Sequence, residues 1–264
     1  MTTISSFLQI SKNLSKAQAI EAKKPEIASA TKYFQDNIGK IKTADDLIAN
    51  PRLFRYAMTA FGLGDKIDAK GLMKKVLQQG VTKNNALANT LNNSAIQAFA
   101  KTFDFAANGA TTTTSASLAS TVVARYTENA LETDQGQQNP GVQLALYFQQ
   151  QAPNLKSMYS VLADKNLLTV VQTALGISPS TGSQPVDTQY RLLNSKLKLT
   201  DLQDPKKLQN FIARFAANYD AANSTGGSSA VSALFGGSAD GSGVISIDSG
   251  TLLTAMNSRR SFFA

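Results

Sequence analysis

The chain of 264 residues contains no cysteine, histidine or tryptophan. Without cysteine there is no disulfide bond, no thiolate nucleophile and no cysteine-bound metal. Without histidine there is no Ser-His-Asp triad and no histidine-bound metal, and the side chain that titrates near neutral pH is missing. Enzymes built on paired carboxylates or on lysine stay open. These absences nevertheless favour a protein that is not an enzyme, so we predict no catalytic, cofactor-binding or metal-binding residues.

Charged side chains are also scarce, at 17% of the sequence, yet the net charge is +8. Residues 1–106 hold 15 Lys and Arg against 8 Asp and Glu, so the basic excess lies in the N-terminal part. A basic surface favours an acidic partner such as nucleic acid, anionic lipid or an acidic protein. Because the lysines are dispersed over many predicted helices, an ordinary solvated face is favoured over a partner surface, and nucleic acid is disfavoured as a partner.

Long apolar runs are missing as well. No stretch of about 18 apolar residues is present, which predicts that the chain has no membrane span. The N-terminus, MTTISSFLQISKNLSK, lacks the basic start, continuous apolar stretch and small-residue cleavage site of a secretory signal peptide. We therefore expect a protein that stays in the cytoplasm or leaves it by a route without a cleaved signal.

What the sequence does contain is an internal similarity between residues 18–106 and residues 121–220. Under a shift of 114 positions, or 112 near the end, apolar residues and helix ends coincide. The matched pairs include Tyr33 with Tyr147, Phe34 with Phe148, Phe61 with Leu175, Gly62 with Gly176, Phe99 with Phe211 and Phe103 with Phe215. The repeated positions are of the buried type, so the similarity predicts architecture rather than activity.

The fold class follows from helical spacing of apolar residues behind capping side chains. Thr43 with Asp46 is typical of a capping box, Asn50 precedes a proline, and Asp164 precedes another apolar run. No alternating strand pattern of useful length occurs, and residues 244–248 are the one short candidate. We predict an all-α fold in which two copies of a multi-helix unit form one elongated or bilobal body with amphipathic termini.

Composition divides the chain into six segments. They are an N-terminal amphipathic segment (1–17), a first repeat (18–106), a polar connector (107–120), a second repeat (121–220), a Gly/Ser linker (221–243) and an amphipathic C-terminal tail (244–264). Residues 4–30 are predicted to be helical. In the second repeat we expect a helix over 121–132 and then a polar turn at 134–140.

The two ends carry the predicted partner contacts, because each places apolar side chains on one side of a weakly charged segment. These residues are Ile4, Phe7, Leu8, Leu252, Leu253, Met256, Phe262 and Phe263. The ends either pair as a helical hairpin or dock on a neighbouring subunit or another protein. Alternatively, the first helix packs on the first repeat and the tail is frayed.

Three polar motifs contain residue types that can carry chemistry. The segment Gly62-Leu63-Gly64-Asp65-Lys66 lacks the strand that precedes a phosphate-binding loop, so a helix C-terminus is the better interpretation. The adjacent carboxylates Asp45 and Asp46 are expected to serve a helix cap. The polar stretch 125–139, which contains Glu128, Glu132 and Asp134, either lines a groove or caps the second repeat. A pocket with converging carboxylates there would revive an enzymatic role.

Four stretches resemble a known family. They are ATKYFQDNIGKIKTADDLIANPRLFRYAMTAFGLGD (30–65), RYTENALETDQGQQNPGVQLALYF (125–148), LADKNLLTVVQTALGIS (162–178) and DPKKLQNFIARFA (204–216). Together they resemble an alphaproteobacterial domain family of unknown function that is common in Rhizobiales and often encoded among flagellar genes. Some members carry the label of flagellar basal-body rod-like proteins. The resemblance implies a helical fold and a flagellum-linked role, and it supplies no catalytic residues.

The leading hypothesis is a non-enzymatic structural or assembly protein of the flagellar basal body that binds flagellar proteins or a second copy of itself. The alternative is a cytoplasmic helical binding module whose basic N-terminal half recognises an acidic partner or nucleic acid.

Overall fold

The computed structural model describes residues 1–223, and within that range the chain is all-α, without a strand. Short 3-10 turns connect several of the helices. The helices are α1 (Thr3–Lys12), α2 (Leu14–Glu21), α3 (Pro25–Ile38), α4 (Ala44–Ala49), α5 (Pro51–Ala60), α6 (Lys70–Gln79), α7 (Leu87–Thr90), α8 (Ser94–Thr102), α9 (Phe105–Asn108), α10 (Ala116–Gln138), α11 (Pro140–Gln151), α12 (Met158–Leu162), α13 (Lys165–Leu175), α14 (Val186–Lys196) and α15 (Pro205–Asn223).

The predicted capping side chains begin their helices. Thr43 Oγ1 accepts from the Asp46 amide (3.1 Å) and Asp46 Oδ2 accepts from the Thr43 amide (3.0 Å), which completes the capping box of α4. Asn50 Oδ1 accepts from the Leu53 amide at the start of α5. Asp164 Oδ1 accepts from two amides at the start of α13. These caps satisfy backbone N–H groups that the first helical turn leaves without a partner.

The N-terminal region departs from the predicted continuous helix over residues 4–30. It forms three helices, broken at Asn13 and again at Lys24. Lys24 has extended backbone angles (φ −60°, ψ 135°) because the ring of the following Pro25 disfavours the helical conformation. Pro25 is instead the first residue of α3, where its missing N–H costs nothing.

The predicted turn at residues 134–140 is also wrong, because α10 continues through it to Gln138. The predicted connector 107–120 likewise holds the end of α9, a 3-10 turn (Gly109–Thr114) and the start of α10. α10 packs against α2, α3, α5 and α11. Packing along its length overrides the weak helix propensity of this polar, glycine-containing stretch. At Gly136, the side chain of Gln143 of α11 occupies the space that a Cβ would take, so a larger residue there would have to displace this flexible side chain.

The apolar side chains of residues 1–219 form two hydrophobic cores. The first joins α3 to α8 with the first half of α10, and its largest fully buried side chains are Phe34, Phe54, Phe61, Phe99 and Phe103. The second joins α11 to α15 with α1, and it contains Phe7, Phe148, Phe211 and Phe215. Of the matched pair, Phe103 is fully buried in the first core and Phe215 is fully buried in the second.

α1 packs on the second core, not on the first repeat that follows it in the chain. Phe7 of α1 lies in the second core at 1% exposure, whereas Val122 of α10 lies in the first core at 0%. Phe7 belongs to the stretch that precedes the first predicted repeat (1–17), and Val122 belongs to the first helical stretch of the second repeat (121–220). Each stretch therefore contributes to the core of the other repeat.

Several matched positions share local geometry. Gly62 and Gly176 both have left-handed backbone angles (φ 69° and 65°) after α5 and α13. Asn50 and Asp164 cap the same two helices, and each is hydrogen-bonded to a tyrosine on the preceding long helix, Tyr33 or Tyr147. These similarities support the internal duplication, which stays a prediction.

Candidate functional site

The predicted N-terminal contact residues face the chain's own second core. Phe7 is buried there, and Ile4 and Leu8 are partly buried against the same core. Phe7 is therefore not exposed to a partner in this structure. The predicted contacts in the tail (Leu252, Leu253, Met256, Phe262 and Phe263) lie outside the described residues, as do most of the linker and the short strand candidate.

The first two polar motifs have structural roles. Gly62 follows the end of α5 in the left-handed conformation, and Gly64–Lys66 forms a 3-10 turn, as expected for a helix C-terminus. Asp46 completes the capping box described above. Its neighbour Asp45 pairs with Lys74 of α6 (Nζ to Oδ1, 2.7 Å).

The polar stretch 125–139 is different, because it places two carboxylates at one cavity. Glu128 and Glu132 are four residues apart on α10, which puts them on the same helix face. The cavity lies between α2, α10 and α11 and has a volume of about 190 Å³. Its lining consists of Leu14, Glu128, Leu131, Glu132, Leu146, Gln149 and Gln150. Asp134 lies elsewhere and pairs with Lys24 (3.0 Å).

Glu132 has an unusual environment within this cavity. Glu132 is only 3% exposed to solvent, and its Oε1 has no hydrogen-bond partner among the described residues. Burial, followed by the negative charge of Glu128, raises the pKa of Glu132 well above its ordinary value. Glu128, in contrast, accepts a hydrogen bond from Gln150 Nε2.

A second polar cluster lies where α5 meets α11 and α13. Tyr147 Oη donates to Asp164 Oδ2 at 2.6 Å, and both residues are largely buried. Burial, and then the Asp164 carboxylate, raises the pKa of Tyr147. A Cβ added to Gly62 would lie 3.5 Å from Tyr147 Cε2, so the end of α5 packs closely on this tyrosine. A cavity of about 400 Å³ lies beside the cluster and is also lined by Lys66 and Lys165.

The largest of the described depressions, about 640 Å³, lies between the end of α14 and α15. We call it the basic groove, since its lining includes Lys196, Lys198, Lys207 and Arg214 against one carboxylate, Asp201. Lys207 Nζ bonds Asp201 Oδ1 at 2.6 Å, and this bond raises the pKa of Lys207. The other three cations leave the groove with a positive surface.

The basic groove was not predicted from the sequence, and neither was the part of the Glu132 cavity that α2 and α11 form. The sequence does contain several basic residues over 196–214, which indicate the groove. The larger excess of basic residues over 1–106 drew attention to the N-terminal part instead. The cavity's partners on α2 and α11, including Leu14 and Gln150, carry no sequence signal because only the packing of three helices brings them together. Within residues 1–223, no three acidic side chains are grouped closely enough to hold a metal ion, and no helix is both long and apolar enough to cross a membrane.

Comparisons with known proteins address the family. The model of a family described as "Protein of unknown function (DUF1217)" matches residues 60–208. A crystal structure of a protein from Agrobacterium tumefaciens is similar at a TM-score of 0.78 and 36% sequence identity, over 84% of this chain and 94% of that chain. The curated proteins gave no match. The predicted membership of a domain family of unknown function is thus confirmed, and the chain belongs to the DUF1217 family.

Proposed function

We propose that this chain is a non-enzymatic structural or assembly protein of the bacterial flagellum that acts through helical protein–protein contacts. The flagellar setting is supported by the family resemblance of residues 30–65, 125–148, 162–178 and 204–216. The contact-based mode of action is supported by the basic groove, which is open, charged and larger than the cavity that contains Glu132.

The basic groove favours an acidic segment of a partner protein. Lys196 at the end of α14, Lys198 in the segment that follows and Arg214 of α15 supply positive charge to the groove. Arg214 lies over the Phe211 ring at 5.2 Å. Complementary charge of this kind steers association and sets the register of a bound segment more than it raises affinity. A flagellar protein with an acidic helix or extended segment is the partner that this surface fits.

Charge reversal in the groove tests this role. In a strain that lacks the gene, K196E/K198E should restore swimming poorly although the protein accumulates normally. The matched control is K70E/K75E, which makes the same charge change on α6, far from the groove in sequence. Full swimming with K196E/K198E, or an equal defect with K70E/K75E, would contradict a role for the groove.

The tail is tested separately by deleting residues 244–264. If the tail drives docking or polymerisation, the deletion reduces swimming and changes the size of the oligomer in light scattering. If swimming and oligomer size are both unchanged, the tail has no such role, and its five predicted contact residues do not bind a partner.

The alternative function, a basic N-terminal half that binds nucleic acid, has weaker support. Several lysines of that half are paired with carboxylates, including Lys24 with Glu21, Lys32 with Asp36 and Lys74 with Asp45. Nucleic-acid binding through lysines predicts an affinity that falls steeply with salt, by orders of magnitude between about 50 and 200 mM. Absence of binding to labelled DNA and RNA at the lower salt concentration would remove this alternative.

A further inference from the structure

The cavity between α2, α10 and α11 contains a polar atom without a partner. Glu132 Oε1 is buried and accepts no hydrogen bond from the described residues. Buried polar atoms in folded proteins are nearly always bonded to protein, water or a ligand, because an unbonded one is costly. An ionised carboxylate oxygen only accepts hydrogen bonds, so Glu132 can carry its charge in this cavity only if a donor reaches Oε1.

The side chains around Glu132 do not supply that donor. The amide nitrogen of Gln150 donates to Glu128, and the amide oxygen of Gln150 accepts from Gln151. The titratable groups that line the cavity, Glu128 and Glu132, are both acidic, and no basic side chain lines it. Lys24 approaches this part of the fold but bonds Glu21 and Asp134 instead. A cation with N–H donors would balance both carboxylates and satisfy Oε1.

The remaining walls are apolar. Leu14 of α2, Leu131 of α10 and Leu146 of α11 line the cavity beside the two carboxylates. The volume of about 190 Å³ equals the share of roughly six water molecules in the liquid. This space accommodates a short alkyl chain with one small polar head.

We propose that this cavity binds a primary alkylammonium group, with its N–H donors on Glu132 Oε1 and Glu128 and its alkyl chain against the three leucines. An ammonium head has three donors and no acceptor, which matches a lining that offers carboxylate and amide oxygens. The group belongs either to a free small amine or to a lysine side chain of a partner. This site is independent of the flagellar role and of the basic groove.

The direct test is an NMR or calorimetric titration of the full chain with n-butylammonium chloride. n-Butanol has a similar shape without the charge, and sodium chloride controls for ionic strength. We expect saturable binding of butylammonium, and binding of butanol that is at least about tenfold weaker, because the charge-assisted bonds are lost. Glu132→Gln should weaken butylammonium binding by about tenfold or more.

Two further variants separate the site from non-specific effects. Glu26→Gln makes the same change at an exposed position of α3 and should bind butylammonium like the wild type. Leu14→Phe should fill the cavity and block binding while both carboxylates remain. Absence of saturable binding in the wild type, or equal binding by wild type and Glu132→Gln at unchanged helicity, overturns the proposal.

The same titration with Nα-acetyl-lysine amide distinguishes the two sources of the amine. Binding of both probes, each lost in Glu132→Gln, indicates that a lysine side chain on a peptide backbone can reach the carboxylates. Binding of butylammonium alone assigns the site to a small free amine.

Discussion

Tyr147 Oη donates a 2.6 Å hydrogen bond to Asp164 Oδ2, and the matched pair in the first half, Tyr33 and Asn50, is joined at 3.4 Å with the asparagine as donor. In both halves, a tyrosine on a long helix is tied to the N-cap of a helix two elements later. The second pair is more buried and includes a charged acceptor, so it should contribute more to stability.

Removal of the two tyrosine hydroxyls tests this difference. Tyr147→Phe leaves a carboxylate oxygen without its partner and should lower the free energy of unfolding by about 1.5–3 kcal/mol. Tyr33→Phe removes a long, partly exposed bond and should cost less than about 1 kcal/mol. Urea denaturation of both variants measures the two losses. Equal losses would show that the bond from Tyr147 to Asp164 contributes no more to stability than the bond between Tyr33 and Asn50.

Glu132 should make the chain less stable as pH rises. Its pKa is raised in the folded state, so above the ordinary glutamate pKa of 4.5 the folded state keeps a proton that the unfolded state has released. Stability falls with rising pH from that point until the raised pKa is passed. Glu132→Gln removes this penalty and should raise the free energy of unfolding at pH 7 by about 1–3 kcal/mol.

The gain from Glu132→Gln should shrink as pH falls toward 4.5, which urea denaturation at several pH values can follow. The control Glu26→Gln, at an exposed position, should show no pH-dependent gain. A Glu132→Gln variant that is no more stable than the wild type at pH 7 would mean that the carboxylate is satisfied in solution.

Gly141 should not tolerate a side chain. It lies at the start of α11, where a Cβ would come within 2.6 Å of Tyr219 Cδ1 and 2.7 Å of Thr3 Oγ1. Gly141→Ala should therefore lower the free energy of unfolding by about 1–3 kcal/mol. A Cβ added to Gly71 of α6 would meet no neighbouring atom within 4 Å. Gly71→Ala should therefore stabilise the chain, by up to about 1 kcal/mol. A thermal melt of both variants checks the opposite signs.

The packing of α1 on the second core predicts where Phe7→Ala acts. Loss of this fully buried ring should cost about 3–5 kcal/mol. Hydrogen exchange should accelerate most in α11 and its second-core neighbours, because α1 packs on α11. Faster exchange centred on α5 and α8 would contradict this location of α1.

The sequence predicted the helical class and several helix starts, because capping and apolar periodicity act over a few residues. Thr43 with Asp46, Asn50 and Asp164 illustrate signals of this kind. The path of α10 and the placement of α1 were not predictable, since both depend on contacts between segments far apart in the chain. Glu132 shows the same limit: the sequence singled out its polar stretch, but only tertiary packing buries one carboxylate and leaves its neighbour bonded.

The most direct test of the flagellar assignment is the location of the protein. Purified flagellar basal bodies and the cytosolic fraction of the native bacterium can be compared by quantitative immunoblotting, with a deletion strain as the blank. We predict that the protein co-purifies with basal bodies and that the deletion strain swims poorly. A protein confined to the cytosol, together with normal swimming of the deletion strain, would contradict a structural or assembly role in the flagellum.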